Sequence, residues 1–348
     1  MLDMSNWPLV ATIGVFVAAA IVIAVAGSRL AMLADRLADR TGMGEAIAGA
    51  VFLGASTSLS GVITSVTAAA GGLPQLAVSN AVGGIAVQAA FLAVADIYYR
   101  QSTLEHAAAS PAAILQGAML VTLLALPIIA TTSRNVSFWG IHPATPLLFV
   151  AYGYGLRLLA RARTEPMWRA EQTPQTQNQD DQDEDEDGKA QSTTRMWLLF
   201  ALNAGLVGVA GYVIARSAGA IVAQTGLTQS AVGTVFTAAS TSLAELVTLL
   251  AAVRRGALTL AVSDIVGGNS FDVLFIAVSD IAFRPGSIYH ELNDQQIFWM
   301  GVTILLNGIL LMGLIRRDRR QIITAGPESW LVILLYAGAV GLLFFGGG

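Results

Sequence analysis

Two acidic residues sit where acids are rare. Glu245 falls in the apolar run 228–253 and Asp272 in the apolar run 258–283. A carboxylate in mid-span costs a few kcal/mol and marks an ion or proton pathway more often than a structural acid. Both sit among hydroxyl-rich segments. Thr241 and Ser242 open the stretch TSLAE that ends at Glu245, and VGGNSFD ends at Asp272. Carboxylates, hydroxyls and freed backbone carbonyls are hard oxygen ligands. They suit Na⁺, Ca²⁺ or H₃O⁺ and not soft metals. The chain has no cysteine, which excludes disulfides and thiolate metal sites. His106, His142 and His290 fall in connections, leaving no mid-span imidazole for a relay. A proton-coupled step would therefore use a carboxyl group.

Such residues have to be held by membrane helices. The 348 residues are 55% hydrophobic and 12% charged, with mean hydropathy +0.64; soluble domains carry about 25% charge. Apolar runs long enough to cross the ~30 Å hydrocarbon layer fall at roughly 8–28, 46–70, 74–97, 112–132, 144–160, 196–218, 228–253, 258–283, 296–315 and 328–346. Ten spans are therefore expected, making the fold all-α and integral to the membrane. The segment MLDMSNWPLV lacks a basic start, and the run after it lacks a cleavage signature, so it reads as a retained first helix. With ten spans, the odd-numbered connections hold most basic residues, among them Arg36, Arg40, Arg100, Arg254, Arg255 and Arg316. The even-numbered ones hold Arg134, Arg216 and Arg284. That bias predicts cytoplasmic odd connections and both termini outside. Short connections point to a prokaryotic plasma membrane.

Residues 162–195 break the pattern. The stretch EQTPQTQNQDDQDEDEDGKAQSTT reads as a disordered acidic cytoplasmic linker. It lacks the glycine and final glutamate spacing of an EF-hand loop. The linker divides a first five-helix unit, 1–161, from a second, 196–348. A shift of 184 positions lays 46–97 on 230–281 without a gap. FLGASTSLSG meets FTAASTSLAE, and LAVSNAVGGIAVQ meets LAVSDIVGGNSFD. An odd number of helices per unit inverts the second copy. Inverted repeats of this kind place the binding site at the repeat interface near the midplane. Two helix interruptions are expected per copy, at ASTSL and at VGG. The first copy offers Thr57 and Ser58, the second Thr241 and Ser242. Asp96 and Asp280 match near helix ends and read as caps or wet end residues.

TSLAE followed by VGGNSFD resembles the paired signature motifs of the cation/calcium antiporter superfamily, which includes the sodium/calcium exchangers. Those motifs read approximately GTSLPE and then GNxxGSNxxN or D. The resemblance covers both repeats and implies a core of helices two, three, seven and eight, with helices one and six sliding across it. It also implies ion ligation by Thr57, Ser58, Thr241, Ser242, Glu245, Asn269 and Asp272, with Gln88 in place of an Asn or Asp. Asp264 stands where an Asn is expected. The implied cargo is Ca²⁺ against Na⁺ or H⁺, with Glu245 and Asp272 as the metal ligands. No enzyme activity, cofactor or nucleic-acid partner is implied; the partners are inorganic cations and the bilayer, and the oligomeric state stays open.

The departures bear on the cargo. Gly61 replaces the acid of the first repeat, Ser60 and Ala244 replace the prolines, Gly84 and Gly268 replace serines, and Ile85 replaces an Asn. The pocket then carries at most two negative charges. Asp264 is a candidate to relocate the missing charge, and Gly61 is a candidate to make room for a larger or partly hydrated ion. Alternatives are a monovalent-cation or Mg²⁺ antiporter, a channel or ion-binding relative without transport, and an intramembrane aspartyl protease using Glu245 and Asp272.

Overall fold

The computed structural model describes residues 4, 6–42, 47–99, 101–134, 136–164, 192–318 and 323–345, with side chains of 47–50 and 163–164 left aside. The central part of the acidic stretch, 165–191, lies outside the described residues. Among the described residues the regular structure is helical, apart from an isolated bridge between Phe138 and Ile141.

The first half runs α1 (Leu9–Thr41), α2 (Ile47–Thr57), α3 (Leu59–Ala70), α4 (Pro74–Tyr98), the single-turn α5 (Leu104–Ala107), α6 (Pro111–Thr132) and α7 (Ala144–Thr164). The second runs α8 (Thr193–Thr225), α9 (Gln229–Thr241), α10 (Leu243–Arg255), α11 (Leu258–Ala282), α12 (Asp294–Arg316) and α13 (Pro327–Phe345). By length and apolarity α1, α4, α6, α8, α11, α12 and α13 can each cross a membrane. The bent pairs α2–α3 and α9–α10 bring the count to as many as nine. The remaining expected span, 144–160, lies within α7, a 21-residue helix that bears Arg157, Arg161 and Arg163 toward its end.

Burial sorts these helices into centre and rim. The apolar window of α4 is 89% buried and that of α11 is 67% buried, against 33% for α1 and α8 and 17% for α13. An all-round apolar helix such as α4 belongs inside. Leu76, Ala77, Ala81, Ile85, Ala86 and Ala89 have no exposure. Helices α1 and α8 pack on each other at the rim, and α8 also covers α3.

The ASTSL expectation is realised. The helix axis turns by 68° between α2 and α3 and by 45° between α9 and α10. Ser58 forms the first bend with φ −89°, ψ 9°, and Ser242 the second with φ −93°, ψ 8°. The two bends therefore share one backbone conformation. The VGG expectation is not realised. Residues 82–84 lie inside continuous α4, and 266–268 lie within the helical run Leu258–Asp272, which breaks only at Val273. Gly83 and Gly267 serve close packing instead. A Cβ on Gly83 would lie 2.6 Å from the Cα and carbonyl oxygen of Thr234 in α9, and one on Gly267 would lie 2.6 Å from the Gln116 amide.

Candidate functional site

The bends bring their serines together with α4 and α11. A small cavity is lined by Ser58, Gly61, Asn80, Gly84, Gln88, Thr241, Ser242, Glu245, Asp272 and Phe275. It has room for about one water or one bare cation.

Each polar group has a traceable support. Asp272 ends the first segment of α11. Its Oδ1 accepts a 2.5 Å hydrogen bond from Ser58 Oγ, and its Oδ2 accepts one of 2.9 Å from Gln88 Nε2. Gln88 and Asp272 are separated by 184 positions, so equivalent residues of the two copies meet face to face. Gln88 Nε2 also donates toward Ser242 Oγ at 3.3 Å. Ser58 and Ser242 thus reach the same carboxylate–amide pair from opposite bends. Glu245 lies in the first turn of α10, and its Oε2 is buried with no hydrogen-bond partner. A buried, unpartnered carboxyl oxygen needs a cation or a proton. Among the described residues no group of three or more His, Asp or Glu side chains converges as a metal cluster. A cation here would hold two carboxyls and draw its other ligands from hydroxyl and amide oxygens.

Asn80 ties the first bend to α4. Its Nδ2 donates to Ser65 Oγ at 2.9 Å and to the Gly61 carbonyl at 3.3 Å, and Thr241 Oγ1 donates toward its Oδ1 at 3.4 Å. Ser60 Oγ donates to the Thr241 carbonyl at 3.0 Å. The two bends are therefore linked directly.

Of the residues expected at the site, Glu245, Asp272, Ser58, Ser242, Thr241 and Gln88 line the cavity. Three do not. Thr57 Oγ1 donates back to the Leu53 and Gly54 carbonyls of its own helix, each at 3.1 Å, a common habit of mid-helix threonine. Asn269 is buried, but it is not part of the lining, and neither of its amide atoms has a hydrogen-bond partner. Asp264 is exposed and outside the lining, so it does not restore the missing charge there. Three unexpected residues do line the cavity: Asn80, Gly84 and Phe275. Asn80 had a signal, since it is the first-repeat counterpart of Asp264. Phe275 had none.

Phe275 also corrects the expectation that Gly61 makes room for a larger ion. A Cβ on Gly61 would lie 2.5 Å from Phe275 Cε2 and 3.0 Å from its Cζ. The ring is buried and stands edge-on to Phe271, with centroids 6.3 Å apart. The space that a first-repeat acid would use is filled.

The sequence matches the family described as sodium/calcium exchanger protein over residues 11–156 and 195–345. The chain belongs to that family. It is therefore an integral membrane protein of a family of secondary transporters, which removes the protease reading. No curated protein sequence matches it significantly. Among solved structures, the sodium-calcium exchanger NCX_Mj soaked with Na⁺ and Ca²⁺ superposes with TM-score 0.58 at 17% identity, covering 95% of this chain and 98% of that one. Native YfkE gives TM-score 0.66 at 14% identity, covering 97% and 93%. The H⁺/Ca²⁺ exchanger CAX gives 0.67 at 12% identity, covering 97% and 82%. At these identities the likeness is one of fold.

Proposed function

We propose that the protein is a secondary active cation antiporter. It exchanges Ca²⁺ against Na⁺ or H⁺ by alternating access at the Glu245–Asp272 pocket. The observation that carries this reading is the small cavity where two helix bends of equal backbone geometry meet the carboxyls of Glu245 and Asp272. Sodium–calcium and proton–calcium exchange are both found among its structural relatives. In this reading the chain crosses the membrane ten times as two inverted five-helix repeats, 1–161 and 196–348. The acidic stretch 162–195 is a cytoplasmic linker, and both termini lie outside.

Hydrogen bonds and close contacts recur at the 184-position spacing and support the inverted repeat. Gly27 of α1 packs on Ala244, with a Cβ there 2.8 Å from the alanine Cβ. Gly211 of α8 packs on Ser60, with a Cβ there 2.8 Å from the serine carbonyl oxygen. Each rim helix thus passes over the bend of the other copy on a glycine, at the site of a missing family proline. A contact without side chains suits a helix that slides across the core.

The pocket sets the cargo. With two carboxyls it balances one divalent or two monovalent cations, and fewer if one carboxyl holds a proton. Mg²⁺ releases its waters reluctantly, and the cavity has no room for them. A second reading, monovalent-cation exchange, is favoured by the Phe275 ring filling the space beside Gly61 and by the Gln88 amide nitrogen turned toward Asp272 and Ser242, which leave fewer ligands for Ca²⁺. The test is a flux screen in proteoliposomes with imposed Ca²⁺, Mg²⁺, Na⁺, K⁺ and H⁺ gradients, combined with reversal potentials. Uphill Ca²⁺ movement driven by Na⁺ or H⁺ supports the antiporter. Purely downhill flux would make the protein a channel, and a clear three-for-one coupling would overturn the two-charge pocket.

A further inference from the structure

Glu105 is a carboxyl that the midplane pocket does not use. It lies in α5, the connector between α4 and α6, and is 6% exposed. Its Oε1 accepts a hydrogen bond from Ser329 Oγ of α13 at 3.0 Å, while its Oε2 is buried without a partner. It borders a second cavity whose other walls are Leu92, Leu104, Val262, Val266, Leu310 and Leu314. Beside it, Asp96 fastens two segments to the end of α4. Its Oδ1 accepts from the Leu104 N–H at 2.6 Å and its Oδ2 from the Gly326 N–H at 2.7 Å.

The same fastening recurs 184 positions on. Asp280 Oδ1 accepts from the Ile288 N–H at 2.8 Å, and its Oδ2 accepts from the His142 N–H at 2.9 Å. Ile288 corresponds to Leu104 and Gly326 to His142, so each aspartate clasps its own connector and the entry to the last helix of the other copy. His106 Nδ1 sits 3.0 Å from the Arg317 carbonyl, and His290 Nε2 sits 3.2 Å from the carbonyl of Ser133, the counterpart of Arg317. Thr145 stands where Ser329 does. A further difference lies at the position of Glu105, which in the second copy is Tyr289. Its hydroxyl meets Thr145 Oγ1 at 3.1 Å. The fastening is therefore built around a neutral group in one copy and around Glu105 in the other.

We propose that Glu105 is a proton-binding site separate from the ion pocket: with its proton it keeps the α4–α6 connector fastened to α13, and without it the fastening loosens. The charges around it support that direction. Asp96 on α4 and Glu328 on α13 both oppose a negative Glu105. Arg316 is engaged by Asp318 at 2.7 Å and Glu328 at 3.3 Å. Arg317 Nη2 donates to the His106 carbonyl at 3.4 Å, and His106 turns its Nδ1 to the Arg317 carbonyl. Toward the second cavity, α11 presents Val262 and Val266, and α12 presents Leu310 and Leu314. Burial first, and the Asp96 charge second, push the Glu105 carboxyl up to about 7 from an ordinary value of 4.5. A carboxyl whose folded-state value is raised binds its proton more tightly in the fastened form. Its stabilising effect is fully present below 4.5 and is lost as pH rises toward about 7.

The test is hydrogen exchange on the purified full-length protein in detergent, read at residues 101–110 and 323–330 from about pH 5.5 to about pH 8. Protection factors, corrected for intrinsic exchange, fall by more than roughly tenfold in the wild type. In Glu105→Gln they stay high and flat. Glu105→Met, which suits the apolar walls, serves if the amide does not fold. Flat protection in the wild type, or an equal fall in a folded variant, overturns the proposal. The readout does not depend on which ion the midplane pocket carries, so it stands or falls apart from the transport assignment.

Discussion

Restoring the missing acid by Gly61→Glu looks from sequence like the completion of a calcium clamp. The structure gives the opposite expectation. The new Cβ alone would lie 2.5 Å from Phe275 Cε2, a separation that real side chains do not adopt, and the ring is only 4% exposed and held against Phe271. Forcing extra atoms into a packed site typically costs about 1–3 kcal/mol. A third carboxyl beside Glu245 and Asp272 adds like-charge repulsion in a desolvated site. Gly61→Glu alone is therefore expected to destabilise the protein by at least about 2 kcal/mol and to leave calcium affinity unchanged or weaker. Phe275→Ala removes the obstacle and by itself leaves a void. The double variant should recover part of the loss, with a coupling energy of at least about 1 kcal/mol, as befits residues in direct contact. Calcium binding to that double variant should exceed binding to Gly61→Glu. The assays are denaturation of the detergent-solubilised protein and equilibrium ⁴⁵Ca²⁺ binding for all four forms of the cycle. Tighter calcium binding by Gly61→Glu with no loss of stability would mean that the Phe275 ring does not fill that space.

Two further predictions concern the pocket and its cover. Ser58→Ala removes the 2.5 Å hydrogen bond to Asp272; a bond to a charged group is worth about 1.5–3 kcal/mol, so apparent ion affinity should change by roughly tenfold or more in equilibrium binding. Gly211→Ala places a Cβ 2.8 Å from the Ser60 carbonyl oxygen. It should slow liposome flux severalfold while equilibrium ion binding by the solubilised protein stays close to wild type.

The bends were legible in the sequence because both are written as ASTSL, the same run of small hydroxyl residues at matching places in the two copies. Glu245 and Asp272 were legible for the same reason: a mid-span acid has a cost that needs a purpose. Thr57 was misleading. It matches the motif, but a threonine hydroxyl bonds its own helix whenever no better partner faces it, and facing depends on the 68° bend. The VGG pairs read as breaks because glycine loosens helices, yet here glycine lets α4 and the Gln229–Thr241 segment touch. Phe275 could not be found by any motif. An aromatic ring in a membrane helix is ordinary, and its importance comes from lying opposite a residue more than 200 positions away. The clasps at Asp96 and Asp280 lay half in view: the repeat pairs the two acids, but their backbone partners sit in connectors with little sequence likeness.

In the proposed antiporter one ion path runs through the pocket of Glu245 and Asp272. The most direct test is counterflow in proteoliposomes: ⁴⁵Ca²⁺ uptake against its own gradient, driven by an outward Na⁺ or H⁺ gradient, for the wild type, Glu245→Gln and Asp272→Asn. Concentrative uptake by the wild type and loss of driven uptake in both variants are expected, with the solubilised proteins still folded. Wild-type uptake by both variants would contradict that path.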